Sequence, residues 1–271
     1  MPSRGVWPDA RLVAPAHLGV DEKAAGRGED YITVVSDVDA GVVRYVADER
    51  KEASLDAYFD TLPTEELARI EAVAMDMWEP YANSVRAHLP DPDDKIVFDR
   101  YHIMSHMTKA VDTVRKAENK RLRAGGNDAL VGTKYLFLYS AENLPERHAE
   151  RFGALRDSDL KTARAWAIKE DLRWLWDYVR RGWAERHWRR WYFWATHCRL
   201  EPVIEVAKMI KRHYDGVMAF FSHRLTSATA EGLNSRIQAI RVSARGYRNR
   251  EHFKTAIYFH LGGLDLYPRT A

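Results

Sequence analysis

The apolar pattern of this chain changes near Ile103, and this change constrains the fold more than any other feature. Before it, β-branched and aromatic runs such as 31–35 and 41–46 alternate with helical stretches; after it, apolar residues recur at helical spacing. Strands separated by helices need crossover connections, which implies a mixed sheet. The pattern therefore predicts an α/β fold in which a long all-helical segment follows the strands.

The first hundred residues predict five strands. The first three follow one another without a helix, which indicates a meander, and the last two each end at an aspartate. The spacing also predicts a helix over 55–67 and another over 80–88, which stops where proline cannot continue it. The predicted strands are 16–21, 31–35, 41–46, 70–75 and 95–98.

Two apolar stripes predict core-facing helices in the second part of the chain. One contains Ile168, Leu172, Leu175, Trp176 and Val179, and the other contains Val206, Met209, Ile210, Tyr214 and Val217. Seven of the nine tryptophans lie between 166 and 194. They can pack helices together or stack on bases, and packing is the commoner use. The segment 124–128 predicts a loop before this helical part.

Composition excludes several classes of protein. A hydrophobic content of 46% over 271 residues is enough for a core and excludes disorder. The single cysteine, Cys198, excludes an internal disulfide and a multi-cysteine zinc site. The apolar runs are far shorter than the roughly 18 residues of a membrane-spanning helix, and the first residues do not resemble a signal peptide. We therefore expect a cytoplasmic protein without a membrane partner.

Charge is divided along the chain, although the net charge is only +3. Residues 1–100 carry 11 Lys and Arg against 21 Asp and Glu, residues 101–199 carry 20 against 12, and residues 200–271 carry 11 against 6. An acidic front and a basic back suit a protein that gathers carboxylates for metal and holds a polyanion such as nucleic acid. The alternative is that helices simply present solvated Arg and Lys.

Three acidic residues occupy positions from which they can converge. Asp21 lies in the first predicted strand, Asp76 follows the fourth, and Glu231 opens a late helix. Each one alone is also explained as a turn or capping residue.

The helix of Glu231 divides into two faces at 100° per residue. Leu233, Ile237 and Ile240 form the apolar side, whereas amides and guanidiniums share the side of Glu231. Such a helix can hold a metal through its carboxylate and a nucleic-acid backbone through its other polar residues, although an ordinary surface helix has the same pattern. The candidate DNA-binding residues are Asn234, Gln238, Arg241, Arg245, Arg248 and Arg250.

Asp99 and His102 form a further polar pair at the end of the fifth strand. They can share a metal, or the histidine can orient a neighbouring carboxylate, or His102 can be a half-buried structural histidine. The chain lacks a Gly-rich phosphate loop, a Gly-x-Ser-x-Gly elbow and a His-Glu-x-x-His helix.

Taken together and in this order, these motifs resemble the bacterial insertion-sequence transposases of the ISL-three type. They are LGVDE at 18–22, YITVVSD at 31–37, MD at 75–76, IVFDRYH at 96–102, AEGLN at 230–234 and GYRN at 246–249. The resemblance implies a ribonuclease H-like mixed sheet with flanking helices, interrupted by an all-helical insertion. It divides the chain into a first core part at 1–123, the insertion at 124–225 and C-terminal core helices at 226–271.

The resemblance also implies the site and its chemistry. Asp21, Asp76 and Glu231 are the implied catalytic metal ligands, with Asp99 and His102 in support; another alignment would make Asp99 the second ligand instead of Asp76. The implied metal is Mg²⁺, with Mn²⁺ as a substitute, and the implied reaction is two-metal, in-line cleavage and joining of DNA strands.

Related transposases carry an N-terminal zinc-binding segment and a helix-turn-helix region, and only 20 residues precede Asp21 here. The expectation is a catalytic part without the part that recognises transposon ends. The expected partners are transposon-end and target DNA and, on DNA, further copies of the chain. The alternatives are a non-catalytic DNA-binding remnant of a transposase and a ribonuclease H-like nuclease without a role in transposition.

Overall fold

A computed structural model describes residues 13–26, 30–225 and 228–264. Contacts divide the chain into two compact units. The first, here called the sheet unit, combines Met1–Asp99 with His223–Ala271, and the second, the helical unit, is Arg100–Ser222. In the described ranges no helix has both the length and the hydropathy needed to cross a membrane.

The sheet unit contains a five-stranded mixed sheet in the order β3-β2-β1-β4-β5. The first three strands pair antiparallel as a meander, and β4 and β5 join β1 as parallel strands. This confirms the five predicted strands and the mixed sheet, which is the arrangement of the ribonuclease H-like fold. The strands are β1 (His17–Ala24), β2 (Tyr31–Asp37), β3 (Val42–Asp48), β4 (Ala72–Met75) and β5 (Ile96–Phe98).

Thirteen α-helices lie in the described residues. They are α1 (Glu52–Phe59), α2 (Thr64–Arg69), α3 (Glu79–His88), α4 (Pro92–Lys95), α5 (Arg100–Ala124), α6 (Lys134–Leu138), α7 (Ala149–Arg156), α8 (Lys161–Arg173), α9 (Arg181–His197), α10 (Glu201–Arg212), α11 (Tyr214–His223), α12 (Ala228–Ser243) and α13 (Arg250–Leu261).

The single helix predicted over 55–67 is wrong, because the chain forms α1 and α2 with a break between them. Pro63 explains the break: it has no N–H to donate to Phe59, so an α-helix cannot pass through it. Pro63 instead adopts an extended conformation as the N-cap of α2.

The sheet has helices on both faces because its strands alternate in side-chain direction. On one face, Ile32 and Val34 of β2 belong to a buried cluster with Leu233 and Ile237 of α12 and with apolar residues of α13. On the other face, the hydroxyl of Thr33 contacts Tyr81 of α3. The sheet therefore has a core on each side, and α12 and α13 are integral to it.

Gly19 of β1 leaves room for the side chain of Ser36 on β2. A Cβ on Gly19 would lie 2.8 Å from Ser36 Oγ, and that hydroxyl donates a hydrogen bond to the Gly19 carbonyl. A side chain at position 19, two residues before Asp21, would therefore displace the Ser36 hydroxyl.

The helical unit is built around α5, which packs against α8 and α10. The predicted loop at 124–128 is confirmed, with α5 ending at Ala124. By contacts the unit begins at Arg100 and ends at Ser222, whereas the sequence placed the insertion at 124–225. Helix α5 accounts for the earlier start. The division into inserted and original segments stays a prediction.

The two predicted stripes are each broken in the structure. Helix α8 ends at Arg173 and a 3-10 turn covers Trp174–Asp177, so Val179 lies beyond the helix and is 81% exposed. The prediction that Val179 faces the core is therefore wrong. Likewise, the second stripe spans two helices, α10 and α11, because the chain leaves the α conformation at His213.

Only some of the tryptophans between 166 and 194 pack in the core of the helical unit. Four of its seven tryptophans are buried, namely Trp166, Trp176, Trp188 and Trp191. The other three, Trp174, Trp183 and Trp194, are exposed. Packing explains the first group and leaves the second as surface aromatic residues.

Candidate active site

Aspartates follow one another across the parallel part of the sheet. Gly19 of β1 pairs with Ala74 of β4, so Asp21 and Asp76 each lie two residues further along neighbouring strands. Met75 pairs with Phe98 of β5, which puts Asp99 beside Asp76 on the side away from β1. Because neighbouring strands are about 4.8 Å apart, Asp76 lies one strand spacing from Asp21 and Asp99 two.

Asp21 has one carboxylate oxygen held by its own strand and one directed at α12. Its Oδ1 accepts a hydrogen bond from the backbone N–H of Glu22 at 2.8 Å. Its Oδ2 accepts one from the side-chain amide of Asn234. This contact joins residues 213 positions apart and makes Asn234 part of the site.

Asp76 has the same local geometry with a different outer partner. Its Oδ1 accepts a hydrogen bond from the backbone N–H of Met77 at 2.6 Å, and its Oδ2 lies 3.4 Å from Arg50 Nη2. The same guanidinium nitrogen lies 3.0 Å from Glu22 Oε1. Arg50 therefore links Glu22 of β1 with Asp76, which follows β4.

Arg50 and Trp78 are site residues that the sequence reasoning missed. The Arg50 guanidinium carbon lies 4.3 Å from the centre of the Trp78 ring, a cation–π distance. Arg50 follows β3 in a charged loop, where nothing in the local pattern distinguishes it from a surface arginine. Trp78 could have been identified from the sequence as a neighbour of the site, because it lies only two residues after the strand-end aspartate Asp76.

Tyr81 lies on the same face of the sheet as Glu22, because it contacts Thr33, the residue that pairs with Glu22. Burial raises the pKa of Tyr81 to about 12, and the nearby negative charge of Glu22 acts in the same direction. The Thr33 hydroxyl donates to the Glu49 carbonyl at 2.7 Å, so the Tyr81 hydroxyl is the donor in its 2.8 Å contact with Thr33. The phenol is therefore fixed in its neutral, hydrogen-bonded form.

Glu231 lies in the first turn of α12, as predicted, and its side chain is exposed. Leu233 and Ile237 are buried on the opposite side of the helix, which confirms the two-faced pattern. Asn234 is one turn further along, so the face of Glu231 is the face that meets Asp21. However, no three His, Cys, Asp or Glu side chains in the described parts of the chain lie close enough to hold a metal ion together.

Asp99 and His102 fall on opposite sides of the boundary between the units. Asp99 ends the sheet unit, where its backbone N–H donates to the Met75 carbonyl at 2.8 Å. His102 belongs to α5 of the helical unit, is half-buried, and contacts the edge of the Tyr101 ring. A supporting role for the pair stays a prediction.

The candidate DNA-binding residues separate into two groups. Asn234, Arg241 and Arg250 are engaged inside the sheet unit: Arg241 Nη1 donates to the Ala24 carbonyl at 2.7 Å, and Arg250 forms an ion pair with Asp30. The side chains of Gln238, Arg245 and Arg248 are exposed. The second group is therefore better placed to meet a polyanion.

Arg245 does not continue the helix face on which the sequence pattern placed it. Helix α12 ends at Ser243, and Arg245 has a φ of 54°, in the left-handed region. Gly246 follows with a φ of 92°, and its N–H donates to the Arg241 carbonyl at 2.9 Å. The helix thus ends in a left-handed turn whose second residue is a glycine, the residue that most easily adopts a positive φ. Arg245 and Arg248 therefore lie beyond the helix and not on its face.

The donor chemistry of Asp21 and Asp76 fits a divalent cation. Asp21 lies within β1 and Asp76 directly follows β4. In both, a backbone N–H fixes Oδ1 while Oδ2 points to a polar partner. Oxygen-only ligands suit Mg²⁺ and Mn²⁺. In this structure their outer oxygens meet a neutral amide, from Asn234, and a cation, from Arg50.

The sequence of the chain is similar to those of known proteins. The model of a family of DDE transposases of the ISL-three type, described as "Transposase", matches residues 18–257. The transposase for insertion sequence element IS1001 of Bordetella parapertussis is 30% identical over 240 residues, which cover 88% of this chain and 59% of that protein. The transposase for IS1557 of Mycobacterium tuberculosis H37Rv is 29% identical over 272 residues, 90% of this chain and 61% of that protein. The chain thus spans about three fifths of the length of these relatives.

Proposed function

The chain belongs to the DDE transposases of the ISL-three type, and on that premise we propose that its sheet unit cuts and joins DNA phosphodiesters in a metal-dependent reaction. The observation that carries the proposal is the register of β1 and β4. It puts Asp21 and Asp76 at equivalent positions, each two residues beyond the last pair of these parallel strands, and α12 reaches Asp21 through Asn234.

In this proposal Asp21, Asp76 and Glu231 hold the metal. Bound Mg²⁺ ions would supply charge neutralisation and an activated oxygen nucleophile for in-line attack on phosphorus. The protein contributes position. The N–H groups of Glu22 and Met77 fix one oxygen of each aspartate, and Asn234 sets the direction of the other oxygen of Asp21. Asp76 is preferred to Asp99 as second ligand because its strand is next to β1.

The substrates in this proposal are the DNA ends of the mobile element and a target DNA, held in part by Gln238, Arg245 and Arg248. The reaction takes place in the cytoplasm, on an assembly of several copies of the chain. Mn²⁺ replaces Mg²⁺, since both take carboxylate oxygens.

The proposal is tested by isosteric removal of single carboxylate charges. We expect Asp21→Asn and Asp76→Asn each to lower metal-dependent cleavage about a thousandfold, because several kcal/mol of transition-state stabilisation depend on the bound metal. Cleavage is measured as nicking and joining of a plasmid that carries the element's flanking sequences, with Mg²⁺ and with Mn²⁺.

Two matched variants sharpen the test. Asp93→Asn removes an exposed carboxylate of the same unit and should cleave as the unaltered chain does. Asp99→Asn separates the two candidates for second ligand: Asp76 is wrong if Asp99→Asn abolishes cleavage and Asp76→Asn does not. Full cleavage by Asp21→Asn removes Asp21 from the site.

A second candidate function is that of a DNA-binding protein that makes no cut. It is favoured by one observation, that the described His, Cys, Asp and Glu side chains form no three-membered metal cluster. Binding of the same plasmid DNA without nicking or joining in either metal would support this second function. Nicking without any joined product would instead indicate a nuclease.

A further inference from the structure

We propose that Arg50 is the internal counter-cation of the metal site: it neutralises Asp76 in the metal-free protein, and a divalent metal must displace it from that carboxylate. The inference rests on the proposed function, because it assumes that Asp76 is a metal ligand. It adds a positioning residue that the sequence motifs do not contain.

The contacts of one nitrogen atom carry the argument. Arg50 Nη2 is 3.0 Å from Glu22 Oε1 and 3.4 Å from Asp76 Oδ2, so one positive charge serves two carboxylates. Both carboxylates are largely shielded from solvent, with 14% and 15% of the side chain exposed. Coulomb interactions in such a place are weakly screened. A guanidinium there stabilises the two acids in the same way that a metal ion does, and therefore competes with it.

Trp78 holds the guanidinium in place from the other side. The indole face lies 4.3 Å from the Arg50 guanidinium carbon, and Trp78 is only two residues from Asp76. Glu22 and Trp78 form the fixed side of this arrangement, and Asp76 is the longer of the two ion-pair contacts. When a metal takes Asp76, Glu22 and Trp78 keep the arginine beside the site.

The hydrogen-bond donors of Arg50 are not all satisfied, which favours its displacement from Asp76 by a metal ion. Its Nε is buried and has no hydrogen-bond acceptor among the described residues. A buried donor without an acceptor keeps its full desolvation cost. Arg50 is thus held by charge and by the indole face, with incomplete hydrogen bonding.

The inference predicts that removing the charge of Arg50 strengthens metal binding. In Arg50→Gln we expect Mn²⁺ to bind the full chain about tenfold more tightly, a factor equal to about 1.4 kcal/mol. The measurement is a titration that counts free Mn²⁺ by electron paramagnetic resonance, without DNA. Arg50→Lys keeps the charge and should bind Mn²⁺ within about twofold of the unaltered chain.

Three further variants make the result specific. Arg86→Gln removes one exposed positive charge of the same unit and controls for net charge. Trp78→Leu removes the indole face and should tighten Mn²⁺ binding in the same direction, about threefold, so the test survives if Arg50→Gln fails to fold. Asp76→Asn should abolish the binding.

The possible results separate the two proposals. Equal or weaker Mn²⁺ binding by Arg50→Gln, with binding still lost in Asp76→Asn, overturns the role of Arg50 and leaves the proposed function intact. Mn²⁺ binding that is unchanged in Asp76→Asn overturns both the role of Arg50 and the assignment of Asp76 as a metal ligand. A melting temperature of Arg50→Gln that is lowered without metal and restored by Mn²⁺ supports the counter-cation role, since the two acids then repel each other until the metal arrives.

Discussion

Adjacent residues of β1 serve opposite faces of the sheet. Asp21 pairs with Val34 and turns toward α12, whereas Glu22 pairs with Thr33 and turns toward Arg50 and Tyr81. A strand alternates its side chains, so the two carboxylates leave β1 in opposite directions. Asp21 meets α12 through Asn234, whereas Glu22 shares the guanidinium of Arg50 with Asp76.

The buried phenol of Tyr81 predicts a loss of stability in alkali. Its pKa is 10.0 in the unfolded chain and about 12 in the folded protein. The folded state therefore keeps a proton that the unfolded state loses between these values. The stabilisation is complete below pH 10 and is lost as the pH rises through 12, by roughly 2–3 kcal/mol at most.

Urea unfolding at pH 7 and between pH 10 and 12 tests this prediction. Tyr81→Phe should be about 1 kcal/mol less stable at pH 7, because the hydrogen bond to Thr33 is lost, and should lose less stability than the unaltered chain in alkali. Tyr58→Phe is the matched second variant, since burial also raises the pKa of Tyr58 to about 12. A parallel pH dependence in all three proteins would show the assignment to be wrong.

Helix α8 depends on an acid from another helix. Glu118 of α5 is only 4% exposed and accepts hydrogen bonds from the backbone N–H groups of Lys161 and Thr162 and from the Thr162 hydroxyl. These groups form the start of α8, whose own N-cap residue, Leu160, has no side-chain acceptor to offer. The carboxylate of Glu118 caps the helix from outside.

We expect Glu118→Gln to lower the free energy of unfolding by about 2 kcal/mol and Glu118→Ala by about 3 kcal/mol. Glutamine keeps only one of the two acceptor oxygens, without its charge, and alanine removes both oxygens. Chemical denaturation followed by circular dichroism measures the change. Glu205→Gln, an exposed acid on α10, should change stability by less than about 0.5 kcal/mol. Equal effects of Glu118→Gln and Glu205→Gln would contradict the capping role.

Some boundaries of the helices and strands could be predicted from the sequence, and others could not. The strand ends at Asp76 and Asp99 could be predicted, because each ends an apolar run and polar residues mark the exit from a buried strand. The break at Pro63 could also have been predicted, because proline has no backbone N–H to donate to the preceding turn of a helix. The breaks before Val179 and at His213 were not, since the apolar spacing continues across both. Arg50 was hidden for a further reason: its partners are Glu22 and Asp76, and no local pattern reports contacts between distant segments.

Positive charge is concentrated in the helical unit. Arg100–Ser222 carries 24 Lys and Arg against 15 Asp and Glu, whereas the sheet unit carries 18 against 24. Exposed arginines and aromatic side chains occur together along α9, where the guanidinium of Arg186 lies 4.5 Å from the Trp183 ring centre. Such a surface suits contact with a nucleic-acid backbone and bases.

We expect the triple change of Arg180, Arg181 and Arg189 to Gln to weaken DNA binding and to reduce its salt dependence. Three lost phosphate contacts lower the slope of log K against log salt by about 2.7. Fluorescence anisotropy with a labelled duplex between 50 and 200 mM salt measures both effects. The same change at Lys51, Arg69 and Arg86, which are exposed on the sheet unit, is the control. An unchanged slope in the α9 variant would place the DNA elsewhere.

The hydrogen bond between Asn234 and Asp21 also has a consequence for biosynthesis. β1 leaves the ribosome early, but α12, with the amide that Asp21 needs, comes after the 123 residues of Arg100–Ser222. At ordinary rates of translation that interval lasts roughly 10 s. Nascent chains therefore carry an exposed β2–β3 surface until α12 and α13 cover it, and a chain interrupted before that point lacks the Asn234 contact to Asp21.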